Sequence, residues 1–131
     1  MNLQQKQYIA NWHDSFVEYI EGLIALVGVL MANPNATEKD KRPLGQIKLM
    51  LKGKDFYEIE RDLAERIIKR DTFDKIERLD KDLVDICIEN MAVAPLVKVF
   101  LKQLSYSQIE RNKQFAIMEM NELHIPIDNI Y

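Results

Sequence analysis

The sequence predicts an all-α fold: a single-domain bundle of five or six helices with a long N-terminal helix and an extended C-terminal tail. Three observations predict it. Apolar residues recur at spacings of three and four through most of the 131 residues. Four Gly and four Pro are too few to punctuate an all-β chain, which needs a turn signal every ten residues or so. A composition of 47% hydrophobic and 30% charged residues, without repeat, low-complexity tract or linker, suits one globular domain over residues 1–131.

The first helix is expected from Leu3 to Ala32, because Tyr8, Ile9, Trp12, Phe16, Ile20, Leu23, Val27 and Leu30 share one apolar face. Asp14, Glu18 and Glu21 lie opposite; beyond Glu21 that side becomes Gly22, Ala25 and Gly28. Such a helix spans about 45 Å, more than the roughly 36 Å diameter of a compact domain this size. It must therefore kink near Gly22 or project and be covered by a partner. Asn33-Pro34-Asn35 ends it.

A polar connection over 36–42 leads to a short second helix, Pro43 to Lys52, with Pro in its first turn and Gly53 past its end. The third helix is expected to start at Asp55 through an Asp-x-x-Glu capping box. It shows only a narrow stripe of Phe56, Ile59, Leu63 and Ile67, with Asp62/Arg66 and Glu65/Lys69 as i,i+4 ion pairs on a solvated surface. Asp71-Thr72 breaks the chain and caps a fourth helix reaching Ala92. There Phe73, Ile76, Leu79, Leu83, Ile86, Val84, Cys87 and Met91 make a wide arc fit for a central position. A fifth helix is expected from Leu96 to Leu104, and a sixth from the Ser107-x-x-Glu110 box to Leu123. Pro126 forbids helix beyond, so 124–131 is extended.

The chemistry-bearing residues do not assemble into a known motif. One cysteine allows no internal disulfide and no four-ligand zinc site, which favours a reducing, intracellular and cytoplasmic setting. The start of the chain lacks the pattern of a signal peptide, and the charge-free run Gly22–Ala32 is half the length of a membrane span, so no membrane partner is expected. Neither histidine completes the Glu-x-x-His motif of di-metal bundles, since Ala10 precedes His13 and Asn121 precedes His124 by three. Cys87, between Ile86 and Ile88, is expected to be a buried, inert thiol. His13 reads as a partly buried structural residue, and His124 as a cation at a helix C-terminus. Asp80 alone among the acids of the fourth helix intrudes on its apolar arc. No Gly-rich phosphate loop exists. Hence no catalytic residue, cofactor or metal is assigned, and the chain is expected not to be an enzyme.

Charge is more informative along the chain than in sum. The formal −3 resolves into +5 over residues 39–54 and −8 over the other 115. Lys39, Lys41, Arg42, Lys48, Lys52 and Lys54 make this segment a candidate anion or nucleic-acid footprint, with Lys48 and Lys52 on one helix face. No aromatic residue interleaves them for base stacking. The run Leu104-Ser105-Tyr106-Ser107-Gln108-Ile109 resembles the entry to the first helix of a helix-turn-helix in sigma-factor-like regulators. The resemblance covers these six residues and stops, because 110–123 has no Gly-containing turn.

Surplus apolar surface at both chain ends carries the functional expectation. The first helix is apolar around its second half, and the tail adds Ile125, Ile127, Ile130 and Tyr131, with Met118 and Met120 as adaptable neighbours on the last helix. The expected function is a non-enzymatic protein–protein interaction module: an adaptor, inhibitor or assembly connector, self-associating or bound to a larger protein. Its Lys/Ile/Glu/Asn-rich composition fits an AT-rich bacterial or phage genome. The alternative is a nucleic-acid-binding regulator using residues 39–54.

Overall fold

The computed structural model describes residues 1–128. They form helices α1 (Leu3–Met31), α2 (Glu38–Leu51), α3 (Lys54–Ala64), α4 (Arg70–Glu89) and α5 (Pro95–Glu122), so the class is helical. Helix α1 starts at an Asn2/Gln5 capping box and runs uninterrupted through Gly22 for 29 residues. It does not break at Gly22; its second half packs through Ile20 and Val27 against α2 and α4 of the same chain.

Several boundaries differ from the sequence reading, among them α4, which stops at Glu89 and not at the expected Ala92. Helix α2 begins five residues earlier than expected. The Thr37 side chain accepts from the Asp40 amide, and Asp40 reaches back to the Thr37 amide at 3.0 Å. This cap supports the first turn, so Pro43 sits inside the helix and removes one backbone bond without ending it. Helix α3 starts one residue before the expected cap and has no side-chain cap at Gly53. Asp55 instead takes a bidentate grip on Arg78 of α4, at 2.8 and 2.9 Å.

Helix α3 also ends early. Arg66 adopts φ 62°, the Ile67 amide donates to Asp62 O at 2.8 Å, and the Arg66 guanidinium bonds the Leu63 and Ala64 carbonyls. That Schellman closure replaces the expected Asp62–Arg66 and Glu65–Lys69 pairs. Asp62 is instead buried, 3.7 Å from Lys69 and 3.6 Å from Arg61. Finally, the expected fifth and sixth helices are one. Nothing in Leu104-Ser105-Tyr106-Ser107 breaks helix, so α5 propagates from Pro95 at its first turn and leaves the Ser107 box unused, as it leaves no turn for a helix-turn-helix.

The core has two lobes. The first gathers Ile9 and Trp12 of α1, Ile59 and Leu63 of α3, Phe73 of α4, Ile117 and Met120 of α5, and Ile125 of the tail. The second joins Ile20 and Val27 of α1 with Ile47 and Leu51 of α2 and Leu79 of α4. Phe16 touches both, and its ring lies 5.8 Å from that of Phe56. Helices α4 and α5 form an antiparallel hairpin along one side.

Candidate interaction surface

An apolar tail can fold back on its own bundle or reach a partner, and over residues 125–128 it folds back. A second Schellman motif, with His124 at φ 57°, the Ile125 amide on Met120 O (2.9 Å) and the His124 amide on Asn121 O (3.0 Å), turns the chain sharply after α5. Ile125 and Met120 are then buried in this chain's own first lobe, and Ile127 packs partly against it. Asp128 closes the turn: its carbonyl accepts from the Arg70 amide at 2.8 Å, and its amide donates to Ile68 O at 2.9 Å. Of the six expected partner contacts, three are therefore packed in cis, since burial and backbone pairing within the chain satisfy them already. Met118 is exposed. Ile130 and Tyr131 lie outside the described residues.

Exposed apolar surface is concentrated elsewhere. Met91, Val93, Leu96, Val97, Val99, Phe100 and Leu104 are all exposed, Leu96 by 83% and Phe100 by 63%. The cause is an inverted amphipathic pattern in the first half of α5. Its side toward α4 is polar: Lys98 Nζ donates to Glu89 O at 2.9 Å, Lys102 pairs with the Glu89 carboxylate, and the Tyr106 hydroxyl donates to Asp85. The Asp85 bond, with burial, pushes the Tyr106 hydroxyl up to about 12. Charge thus closes the hairpin and hydrophobes turn outward. The second half of α1 adds Tyr19, Leu26, Val29 and Leu30 as further exposed side chains.

The basic segment keeps its cations on the solvent side of α2. Ile47 and Leu51 face inward, while Lys41, Lys48 and Lys52 follow one outer stripe at spacings of seven and four, with Gly45 between them and Arg42 alongside. Lys54 pairs with Glu58 at 3.5 Å. Among the described residues, Lys39, Lys41, Arg42, Lys48 and Lys52 form no ion pair, whereas Lys69, Lys75, Lys81, Lys102 and Lys113 all do.

Three concavities lie among the described residues, one of them an open hollow of about 780 Å³ against Leu3, Tyr8 and Leu123. A cleft of about 480 Å³ lies between the end of α1, the start of α2 and the end of α4, floored by Leu30, Leu44, Ile47 and Ile86 and rimmed by Asn33, Asn35 and Asn90. Cys87 lines it and is exposed, contrary to the buried position expected, because its face of α4 is left uncovered; desolvation still holds the thiol above its ordinary value. A smaller cavity of about 140 Å³ between α1, α4 and α5 contains Asp80 and Trp12. His13 is mostly buried, with Nε2 3.3 Å from the Glu60 carboxylate. Among the described residues no three His, Cys, Asp or Glu side chains converge as a metal site, and no helix is long and apolar enough to cross a membrane.

Sequence reasoning missed the outward apolar face of α5. Its signal was present in the charge pattern: Lys98, Lys102 and Tyr106 share one side at i,i+4 spacing, opposite Glu89 and Asp85 on a neighbouring helix. Compared with known proteins, the chain matches no family model, no curated protein and no solved structure.

Proposed function

We propose that this chain is a non-enzymatic protein-interaction module that buries the outward face of α5 against a second copy of itself, and serves as an assembly or adaptor component. The single observation that carries the reading is the inverted hairpin, in which Lys98, Lys102 and Tyr106 face α4 while Leu96, Phe100 and Leu104 face solvent. The seven side chains from Met91 to Leu104 expose roughly 600–700 Å², above what a monomer ordinarily leaves in one patch. Two copies joined there would bury about 1,300 Å² in total, within the range of a stable interface. The patch carries almost no charge, so like copies meet without repulsion.

Light scattering across 5–200 μM tests the reading. The native chain is expected to show a dimer or higher mass, and Phe100→Glu plus Leu104→Glu, two exposed changes, to shift it to monomer with unchanged helicity. A native chain that stays monomeric throughout that range overturns it.

A second reading rests on α2. Its Lys41–Lys48–Lys52 stripe is free of ion pairs among the described residues, as an electrostatic footprint for a polyanion requires. Duplex DNA affinity is then expected to fall steeply with salt and to drop on Lys48→Glu plus Lys52→Glu. No binding at low salt removes it.

A further inference from the structure

The cavity between α1, α4 and α5 holds a carboxylate with no counterion among the described residues. Asp80 of α4 lines a space of about 140 Å³ walled mainly by apolar side chains, Trp12 and Phe73 among them, with Glu77, Asn112 and Lys113 as its other polar lining. The Trp12 and Phe73 rings lie 5.7 Å apart at their centroids, so Phe73 backs the indole. The cation lining the same cavity, Lys113, is already held by Asp74 at 3.1 Å and Glu77 at 3.2 Å. Glu77 is further bound by Lys81 at 3.2 Å. Among the described residues Asp80 makes no hydrogen bond and no ion pair, and from α1 its other titratable neighbour is Tyr19, whose hydroxyl is raised by burial and then by Asp80. Desolvation pushes Asp80 up to about 6.

An ionised carboxylate beside an indole in a mostly apolar recess is complementary to one kind of ligand. The negative charge needs a countercharge in a poorly solvated space, the ring face attracts a cation, and the apolar walls accept methylenes. The volume suits a few heavy atoms. We propose that this cavity binds a single organic cation, an alkylammonium or guanidinium group, with Asp80 as countercharge and Trp12 as wall. This inference does not rest on the docking face of α5.

Trp12 is the sole tryptophan, so its fluorescence reports the site. Butylammonium chloride, titrated at pH 8 against sodium chloride of equal ionic strength, is expected to give a saturable change. At pH 5, where Asp80 is protonated, the apparent affinity should fall at least fivefold. Asp80→Asn, which removes a desolvated charge and should fold, is expected to abolish the response, and n-butanol to give none. A capped Leu-Lys-Leu peptide separates the sources of the cation. Binding more than tenfold tighter than butylammonium assigns a side chain from a docked polypeptide, and equal binding assigns a free amine. No saturable change with butylammonium, or an equal change with butanol or in Asp80→Asn, overturns the proposal.

Discussion

The Gln5 side chain reaches the His124 carbonyl at 2.9 Å across 119 residues of sequence, and the same Nε2 donates to Leu123 O at 2.9 Å. One amide near the start of α1 thereby holds the chain where it leaves α5. Three residues on, the Tyr8 hydroxyl donates to Glu119 at 2.7 Å, and burial together with that carboxylate pushes it up to about 12. The tail turns inward at a joint fixed from α1.

Cutting the tail should therefore unfold before it unbinds. Ile125→Ala removes a fully packed side chain from the first lobe and is expected to cost about 2–4 kcal/mol. Gln5→Ala, which leaves two exposed or half-exposed carbonyls to water, should cost about 1 kcal/mol. Urea denaturation followed by helical circular dichroism measures both; an Ile125→Ala midpoint equal to that of the native chain would refute packing in cis.

His124 occupies a left-handed position usually given to glycine. His124→Gly should raise stability by about 0.5 kcal/mol, visible as a small upward shift in the thermal midpoint. Arg66→Gly should gain less or nothing, because Arg66 offsets its backbone strain with two guanidinium bonds to Leu63 and Ala64 carbonyls.

Asp80 makes stability depend on pH in an unusual direction. Its folded value, near 6, lies above its ordinary 3.8, so the folded state holds the proton more tightly. The stabilisation is complete below about pH 4 and is lost as pH rises through 6. Asp80→Asn lacks this term and is expected to be more stable than the native chain at pH 7.5 by about 1–2 kcal/mol, after allowance for solvent screening. The advantage should vanish near pH 4. Chemical denaturation of both proteins at the two pH values gives the difference directly, free of the opposite contributions of Asp55 and Glu58, which their bonds to Arg78 and Lys75 hold below the ordinary carboxylate range.

Lys75 of α4 joins a carboxylate from each of two helices at the α3–α4 contact. It is buried, with Nζ 2.7 Å from Glu58 and 2.9 Å from Asp71. Burial pulls the ammonium down, but the two carboxylates outweigh it and hold it above its ordinary value. Lys75→Met should destabilise by about 1–2 kcal/mol at pH 7, since two carboxylates lose their shared partner. The loss should shrink as pH falls below 4 and those acids take up protons.

Much of this was legible in the chain, and what was not had identifiable causes. The apolar period placed Ile9, Ile20, Val27, Leu63, Phe73 and Leu79 inward, where they are. Pro43 misled because the Thr37–Asp40 cap lies upstream and outweighs one lost backbone bond. Arg66 and His124 end their helices without glycine, which no composition signal marks. The surplus hydrophobes at 125 and 127 were visible, but whether they docked in cis depended on a backbone turn at His124 and on a partner strand-like segment at Ile68–Arg70, far away in sequence.

Periodicity and the scarcity of Gly and Pro by themselves determined the helical class, the extent of α1 and most of the inward stripes of α1 to α4, because a helix forms from contacts three and four residues apart. The segregation of positive charge into 39–54 was likewise a property of the chain alone. Only the tertiary structure decided which apolar surface is left over. That choice turns on how α5 is rotated about its axis, and the rotation is set by Glu89, Asp85, Glu77 and Asp74 of α4 drawing Lys98, Lys102, Tyr106 and Lys113 to one side. Long-range polar contacts with α4, not local period, put Phe100 and Leu104 in solvent, and the backbone turn at His124 with its pairing to Ile68–Arg70 puts Ile125 in the core.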